Sequence, residues 1–327
     1  MSHAISRRAL IAATIALGVF VASPVVADDY PSKNIRIVVP FPAGGGTDVV
    51  ARVVVPKLAE ELKHTVYIDN IGGASGSLGH EAVARAAPDG YTLLLATAST
   101  IATNPLISKV PWDAVKDFSP IGMVSVDPMP LVVTPSLPVN NVQELIALAK
   151  AKPDSLTMAS FGIGSVPHLA GELLKAQAGI KMLHVPYKGG AQALNDLIGG
   201  HVSLMFNSVG AIAGPVAAGQ VRLIAVGAPE RSPGLPNIPT IKESGLPDFA
   251  ATSWIGLFGP AKLPKPIVDK VSQALAAALK DPDLKDKLAK MGSDTTSSGT
   301  PHELADTLAG DLKRWGKLVH DANIHID

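Results

Sequence analysis

Pro40-Phe41-Pro42-Ala43-Gly44-Gly45-Gly46-Thr47-Asp48 is the stretch on which the fold turns. Ile35-Arg36-Ile37-Val38-Val39 precedes it, short and rich in β-branched residues, as a buried strand is. Val49 to Leu62 follows, with Val50, Val53, Val54, Leu58 and Glu61 at helical spacing. The stretch is therefore a strand–loop–helix turn. Gly44, Gly45 and Gly46 let the backbone approach a partner closely, and Thr47 or Asp48 is placed to cap the helix. A helix start with free N–H groups is an anion site. The plain alternative is a tight turn that uses glycine only for its conformational freedom.

The same grammar recurs along the chain. Thr65–Asp69 reads as a second strand, followed by Gly72-Gly73-Ala74-Ser75-Gly76-Ser77 and a helix through Leu78, Ala82, Val83 and Ala86. Pro88-Asp89-Gly90 is a turn, Tyr91–Ala96 a third strand, and Thr97–Thr100, with Ser99, its exit loop. Such alternation predicts a parallel sheet covered by helices, with ligands beyond the carboxyl ends of the strands. Residues 101–120 read as mostly irregular, and Ile121–Val126 and Leu131–Val133 as two strands broken by Asp127-Pro128-Met129-Pro130. A second unit then begins. Asn141 caps a helix through Leu145 and Leu148. Leu156–Ala159 is a strand ending in Ser160-Phe161-Gly162-Ile163-Gly164-Ser165-Val166-Pro167-His168, and a helix runs from Leu169 to Ala178. Strand 182–186, a helix over 191–198, and strands at Ser203–Asn207 and Arg222–Val226 complete it. Helices are predicted near 264–280, 282–290 and 301–322. Two α/β lobes facing across a cleft follow: 28–124 with 227–327, and 125–226.

The N-terminus reads as an export leader. Arg7 and Arg8 precede an apolar run over Ala9–Ala22, and Val25-Val26-Ala27 is a small-residue exit, so residues 1–27 are expected to be removed. The 28 basic and 28 acidic side chains balance, and two of the basic ones lie in that leader. A chain without a basic excess is not built for nucleic acid or a membrane surface. Cysteine is absent, which excludes disulfides, thiolate metal sites and a cysteine nucleophile. The histidines are scattered without metal-ligand spacing, and neither metal nor cofactor is expected.

Signatures of catalysis are few. There is no Gly-x-Ser-x-Gly elbow, no His-Glu-x-x-His and no Walker lysine motif. Ser165 and His168 stand three apart at one helix start, poor geometry for a nucleophile and its base. With nearby amides they suit a carboxylate; the bland reading is a cap serine and a satisfied core histidine. Asp48, beside an anion site, suits capping its own helix better than meeting a ligand ammonium. Trp254 and Tyr187 are each either cleft wall or packing, and Phe41 is placed to shield a bound anion from water.

Four motifs in order resemble one family: the 40–48 loop, Pro88-Asp89-Gly90-Tyr91-Thr92, Ser160–Ala170 and His184-Val185-Pro186-Tyr187-Lys188-Gly189. They are similar to the Bug family, the TctC-like substrate-binding proteins of tripartite tricarboxylate transporters. The likeness runs from about residue 33 to the C-terminus. It implies a periplasmic-binding-protein-like fold of type II, a Venus flytrap, acting as a monomer in the periplasm. It also implies a small carboxylate ligand (a di- or tricarboxylate, acidic amino acid or aromatic acid) and a membrane permease as partner. The family's gripping loops correspond to Phe41–Thr47 and Ser160–His168, neither of which holds arginine. The ligand-binding residues expected are Phe41, Gly44, Gly45, Gly46, Thr47, Asp48, Ser99, Ser160, Phe161, Gly164, Ser165, His168, Tyr187, Asn207 and Trp254. Two positions depart from the family's pattern and bear on ligand preference. Asn70-Ile71-Gly72-Gly73 stands for Asn-Arg/Lys-Pro-Gly, and Ser203 stands where aspartate is common. The alternatives are a ligand sensor for a membrane signalling partner, and a secreted hydrolase using Ser165 and His168.

Overall fold

The first strand, β1 (Ile35–Val39), is buried on both faces, as its unbroken apolar run requires. In the computed structural model, which describes residues 30–295 and 299–325, it pairs in parallel with β2 (Val66–Asn70) and β3 (Thr92–Thr97). The leader read over 1–27 lies outside the described residues. Helix α1 (Gly46–Leu62) begins three residues earlier than the periodicity predicts, because the last of the three glycines already belongs to it.

The parallel sheet expected from the βαβ pattern is mixed. β10 (Thr252–Pro260) inserts antiparallel between β3 and β4 (Phe118–Pro128), giving the order β2-β1-β3-β10-β4. The second sheet has the order β7-β6-β8-β5-β9. Its strands are β5 (Pro130–Val133), β6 (Thr157–Ser160), β7 (Leu183–Pro186), β8 (Leu204–Phe206) and β9 (Arg222–Val226). β5 lies antiparallel between β8 and β9, as β10 does between β3 and β4. The two sheets thus share one topology, with β1 and β6 in equivalent places, and β3 and β8 likewise. This equivalence is why the loops after β1 and β6 carry the same glycine–hydroxyl grammar. β4 runs unbroken through Asp127 and Pro128, so the boundary expected at 124/125 falls inside a strand of the first sheet.

Helices cover the sheets. α2 (Ser77–Ala84), α3 (Asn104–Ile107), α8 (Lys265–Ala278), α9 (Pro282–Lys290) and α10 (Pro301–Asp321) accompany α1. α4 (Val142–Ala151), α5 (Val166–Ala178), α6 (Gly190–Ile198) and α7 (Val209–Ala217) belong to the second unit. Asn141 caps α4 by accepting from the Glu144 N–H, as its sequence predicts. The segment read as irregular holds a π-helical turn over Ser99–Thr103 that runs directly into α3. Trp254, Phe258, Leu304, Leu308 and Trp315 are buried together where α10 packs on β4 and reaches α5.

Candidate functional site

The carboxyl ends of β1, β3 and β4 and the start of β10 open on one cavity of about 930 Å³. The loops after β6 and β8 close it from the other side. It therefore lies where the strand pattern predicts a ligand.

From the first unit come Phe41, Gly45, Gly46 and Thr47, together with Ser99 after β3. From the second come Phe161, Gly164 and Ser165. These eight expected residues line the cavity together. Gly45 is the N-cap of α1 and Ser165 the N-cap of α5, and neither helix has a side-chain cap bond. Ser165 Oγ instead donates to the Gly162 carbonyl at 2.7 Å. Away from the cavity, α4, α9 and α10 are capped by Asn141, Asp281 and Thr300, while α6 and α8 begin on Gly189 and Pro264 without a side-chain cap. Uncapped first turns aimed at one space supply N–H groups and positive helix ends without a cationic side chain.

The remaining seven expected residues stand behind that surface or in the core, and none of them lines the cavity. The Gly44 N–H donates to Asp48 Oδ2 at 2.8 Å and holds the loop, with Gly44 at φ 84°. Asp48 is fully buried, accepts from Arg52 Nε at 2.8 Å and from Asn70 Nδ2 at 3.0 Å, and does not line the cavity. Arg52 above all, then the Gly44 amide, hold its carboxyl below the usual range. Ser160 Oγ bonds His184 Nε2 at 2.7 Å and accepts from the Gly162 N–H. His168 Nδ1 accepts from the Gly164 N–H at 3.0 Å, and its ring stacks on His184 at 3.9 Å. These two braces fix the loop that carries Gly164 and Ser165. Tyr187 donates its hydroxyl to Asp196 at 2.6 Å, on the flank of α6. Asn207 Oδ1 accepts from the following Ser208 N–H, closing the end of β8. Trp254 is core: it has no exposed surface, and its Nε1 donates to Asp311 Oδ2 at 2.8 Å. Of the two departures from the family pattern, neither Ile71 nor Ser203 reaches the cavity. Ser203 Oγ accepts from the Thr157 N–H inside the second sheet.

Sequence reasoning misses other wall residues. Ser208 begins α7, a third helix without a side-chain cap bond that opens on the cavity. Gly210, Gly214 and Pro215 hide the helical pattern there, although the equivalence of β3 and β8 places Ser208 opposite the Ser99 loop. Asn104 lies in the stretch read as irregular. Asp127, Ser253 and Ser293 arrive from three distant segments. Gly210 packs tightly enough on the turn after α9 that a Cβ there would lie 2.5 Å from the Met291 carbonyl oxygen.

Two equivalent mixed sheets, joined by chain crossings and sharing a cavity at their loop ends, define a two-lobed solute-binding protein. The chain belongs to the tripartite tricarboxylate transporter family receptors, the TctC or Bug proteins, whose family model matches residues 50–324. It is 34% identical over 312 residues to BugT of Bordetella pertussis, covering 93% of this chain and 95% of that protein. The periplasmic binding protein BugD is similar in structure at a TM-score of 0.74 and 37% identity, over 90% of this chain and 99% of that one. So is Rpa4515 of Rhodopseudomonas palustris, solved with adipate, at a TM-score of 0.77 and 34% identity, over 91% and 99%.

Proposed function

We propose that this chain is a periplasmic receptor that captures a small carboxylate between its two lobes and delivers it to a membrane permease of the tripartite tricarboxylate type. One lobe is built on the β2-β1-β3-β10-β4 sheet and its helices, the other on residues 130–226. The observation that carries the reading is the convergence of the uncapped starts of α1 and α5 on one cavity. A carboxylate there meets backbone N–H groups from Gly46 and Thr47 on one side and the Ser165 region on the other. Ligand contacts to both lobes favour the closed arrangement. Phe41 and Phe161 lend the apolar wall that excludes water. The receptor is taken to act as a monomer.

Binding without turnover fits the wiring of Ser165 and His168. The serine hydroxyl is committed to Gly162, and the histidine Nδ1 to the Gly164 amide, so the two do not form a nucleophile–base pair.

Thermal unfolding of residues 28–327 with adipate, malate, citrate, glutamate and benzoate tests the reading. A ligand at about 100 times its Kd stabilises by roughly 2.7 kcal/mol, and it is expected back unchanged. A ligand that is chemically converted overturns the receptor reading, and silence across the whole panel overturns the carboxylate class.

A further inference from the structure

One charged residue of the cavity wall stands apart from the loops at the starts of α1 and α5. Asp127, near the end of β4, is paired in register with Ser253 of β10, and both line the cavity with Ser293. Asp127 is half-buried, and its Oδ1 is fully occluded without a hydrogen-bond partner among the described residues. Burial pushes the carboxyl up to about 6; Asp294 adds to the rise, and the hydroxyls of Ser293 and Ser125 oppose it. Asp48 makes the contrast plain: its carboxylate pairs with the Arg52 guanidinium at 2.8 Å. The other charged wall residue, Lys290, is paired with Asp286 at 2.6 Å. Asp127 thus lines the cavity as a desolvated carboxyl with no cationic partner among the described residues, an arrangement that favours a cation supplied by the ligand.

The sheet order sets the distance at which that cation must sit. From β1, whose loop holds Gly45 and Gly46, to β4 there are three strand steps, about 14 Å at the usual spacing. The cavity surface as a whole is mainly apolar, with Val49, Val50, Ile107, Met129 and Ile255, and the hydroxyls of Thr97, Ser99 and Ser253 are set among these residues. An α-amino acid carries both charged groups on one carbon and does not span such a wall.

Resting on the receptor reading above, we infer that the ligand is a zwitterionic acid, its carboxylate at the glycine loops and its ammonium, several carbons away across an apolar spacer, paired with Asp127. A dicarboxylate of the same length sets a second anion against Asp127 and is disfavoured.

The test is a calorimetric titration of the wild-type protein with 6-aminohexanoate and 8-aminooctanoate against adipate and suberate, matched in chain length. The amino acids are expected to bind roughly tenfold to a hundredfold tighter, the scale of one charge-assisted hydrogen bond. Asp127→Asn is expected to erase that preference and to retain or improve dicarboxylate binding, which also reports that the variant is folded. If wild type binds the dicarboxylates as tightly as the amino acids, the inference is overturned and the carboxylate receptor stands. If Asp127→Asn keeps the amino-acid preference, Asp127 is not the partner and the inference is likewise overturned. If wild type binds none of these probes or the carboxylate panel, the receptor reading and this inference fail together.

Discussion

The hydroxyl of Thr103 donates to the carbonyl oxygen of Gly164 at 2.9 Å, tying the turn after β3 to the loop after β6 across the edge of the cavity. Both partners are buried or nearly so, and Ile107 packs on the same glycine. Gly164 sits at φ 74°, and a Cβ there would fall 1.8 Å from Ile107 Cδ1. Gly164→Ala is therefore expected to cost about 2–4 kcal/mol from backbone strain and overpacking together. Adding Ile107→Ala should relieve the overpacking and leave the backbone strain. Urea unfolding of the single and double variants checks this. Thr103→Val should cost about 1–2 kcal/mol, leaving the Gly164 carbonyl unsatisfied.

A negative charge placed at the start of α5 should repel a bound carboxylate, because Ser165 lines the cavity, and the lost bond from its hydroxyl to the Gly162 carbonyl should be offset by the favourable charge at the helix start. Ser165→Asp is expected to weaken carboxylate binding by at least about a hundredfold. Its melting temperature without ligand should stay close to wild type, since an acidic residue suits a helix N-terminus. Calorimetric titration with whichever acid binds the wild type reads the first, and a thermal melt the second.

His80 and His168 should stay neutral far below the usual imidazole range. Burial lowers both to about 4: His80 against a weaker opposing bond to Gly76, and His168 with added repulsion from Lys175. A depressed histidine stabilises the fold fully above its unfolded value near 6.5, and that contribution is lost as pH falls through about 4. Each should add up to about 1.4 kcal/mol per pH unit to the acid slope of stability. Protonation of His168 would also place a proton on the Nδ1 that accepts the Gly164 N–H, loosening the loop at the cavity. Titration of the imidazole C2 protons by NMR checks the first point; resonances moving near pH 6.5 would contradict it.

Trp254→Phe should lower stability by about 1–3 kcal/mol, since Asp311 loses the indole donor inside the core. Ligand affinity should be unchanged, because the indole does not line the cavity. A large loss of affinity with stability retained would return Trp254 to the site.

Gly210→Ala should be poorly tolerated for a reason that lies across the cleft. Its Cβ would meet the backbone of Met291 at 2.5 Å, so the start of α7 and the turn after α9 would have to separate. A loss of about 1–3 kcal/mol is expected, together with weaker binding as the Ser208 wall moves.

The parts of the site legible in the sequence are those made by neighbours in the chain. Gly45–Thr47 follow β1 directly and Gly164–Ser165 follow β6 directly, so a strand, a glycine loop and a helix start reveal both. What was hidden depends on contacts between distant segments. Nothing near Ser253 announces that β10 will slip antiparallel between β3 and β4, yet that insertion brings Asp127, Ser253 and Ser293 into one wall. Asp48 and His168 are legible at the loop ends with their roles open, helix capping or ligand contact for Asp48 and loop orientation or ligand contact for His168. Their side chains turn back to brace the Gly44 and Gly164 amides, a choice set by Arg52, Asn70 and the stacked His184. Trp254 was ambiguous because an aromatic on a strand reads alike on either face until the partner, here Asp311 of α10, is known.

The insertion of β10 also orders the birth of the molecule. All five strands of the second sheet lie between residues 130 and 226, whereas the first sheet lacks an interior strand until residue 260 has appeared. A chain that emerges N-terminus first, from a ribosome or through a translocation channel, can close the later-numbered half while the earlier one still waits for β10. Until then β3 and β4 have open edges, so the long-range closure is the step most exposed to mispairing and to capture by a chaperone.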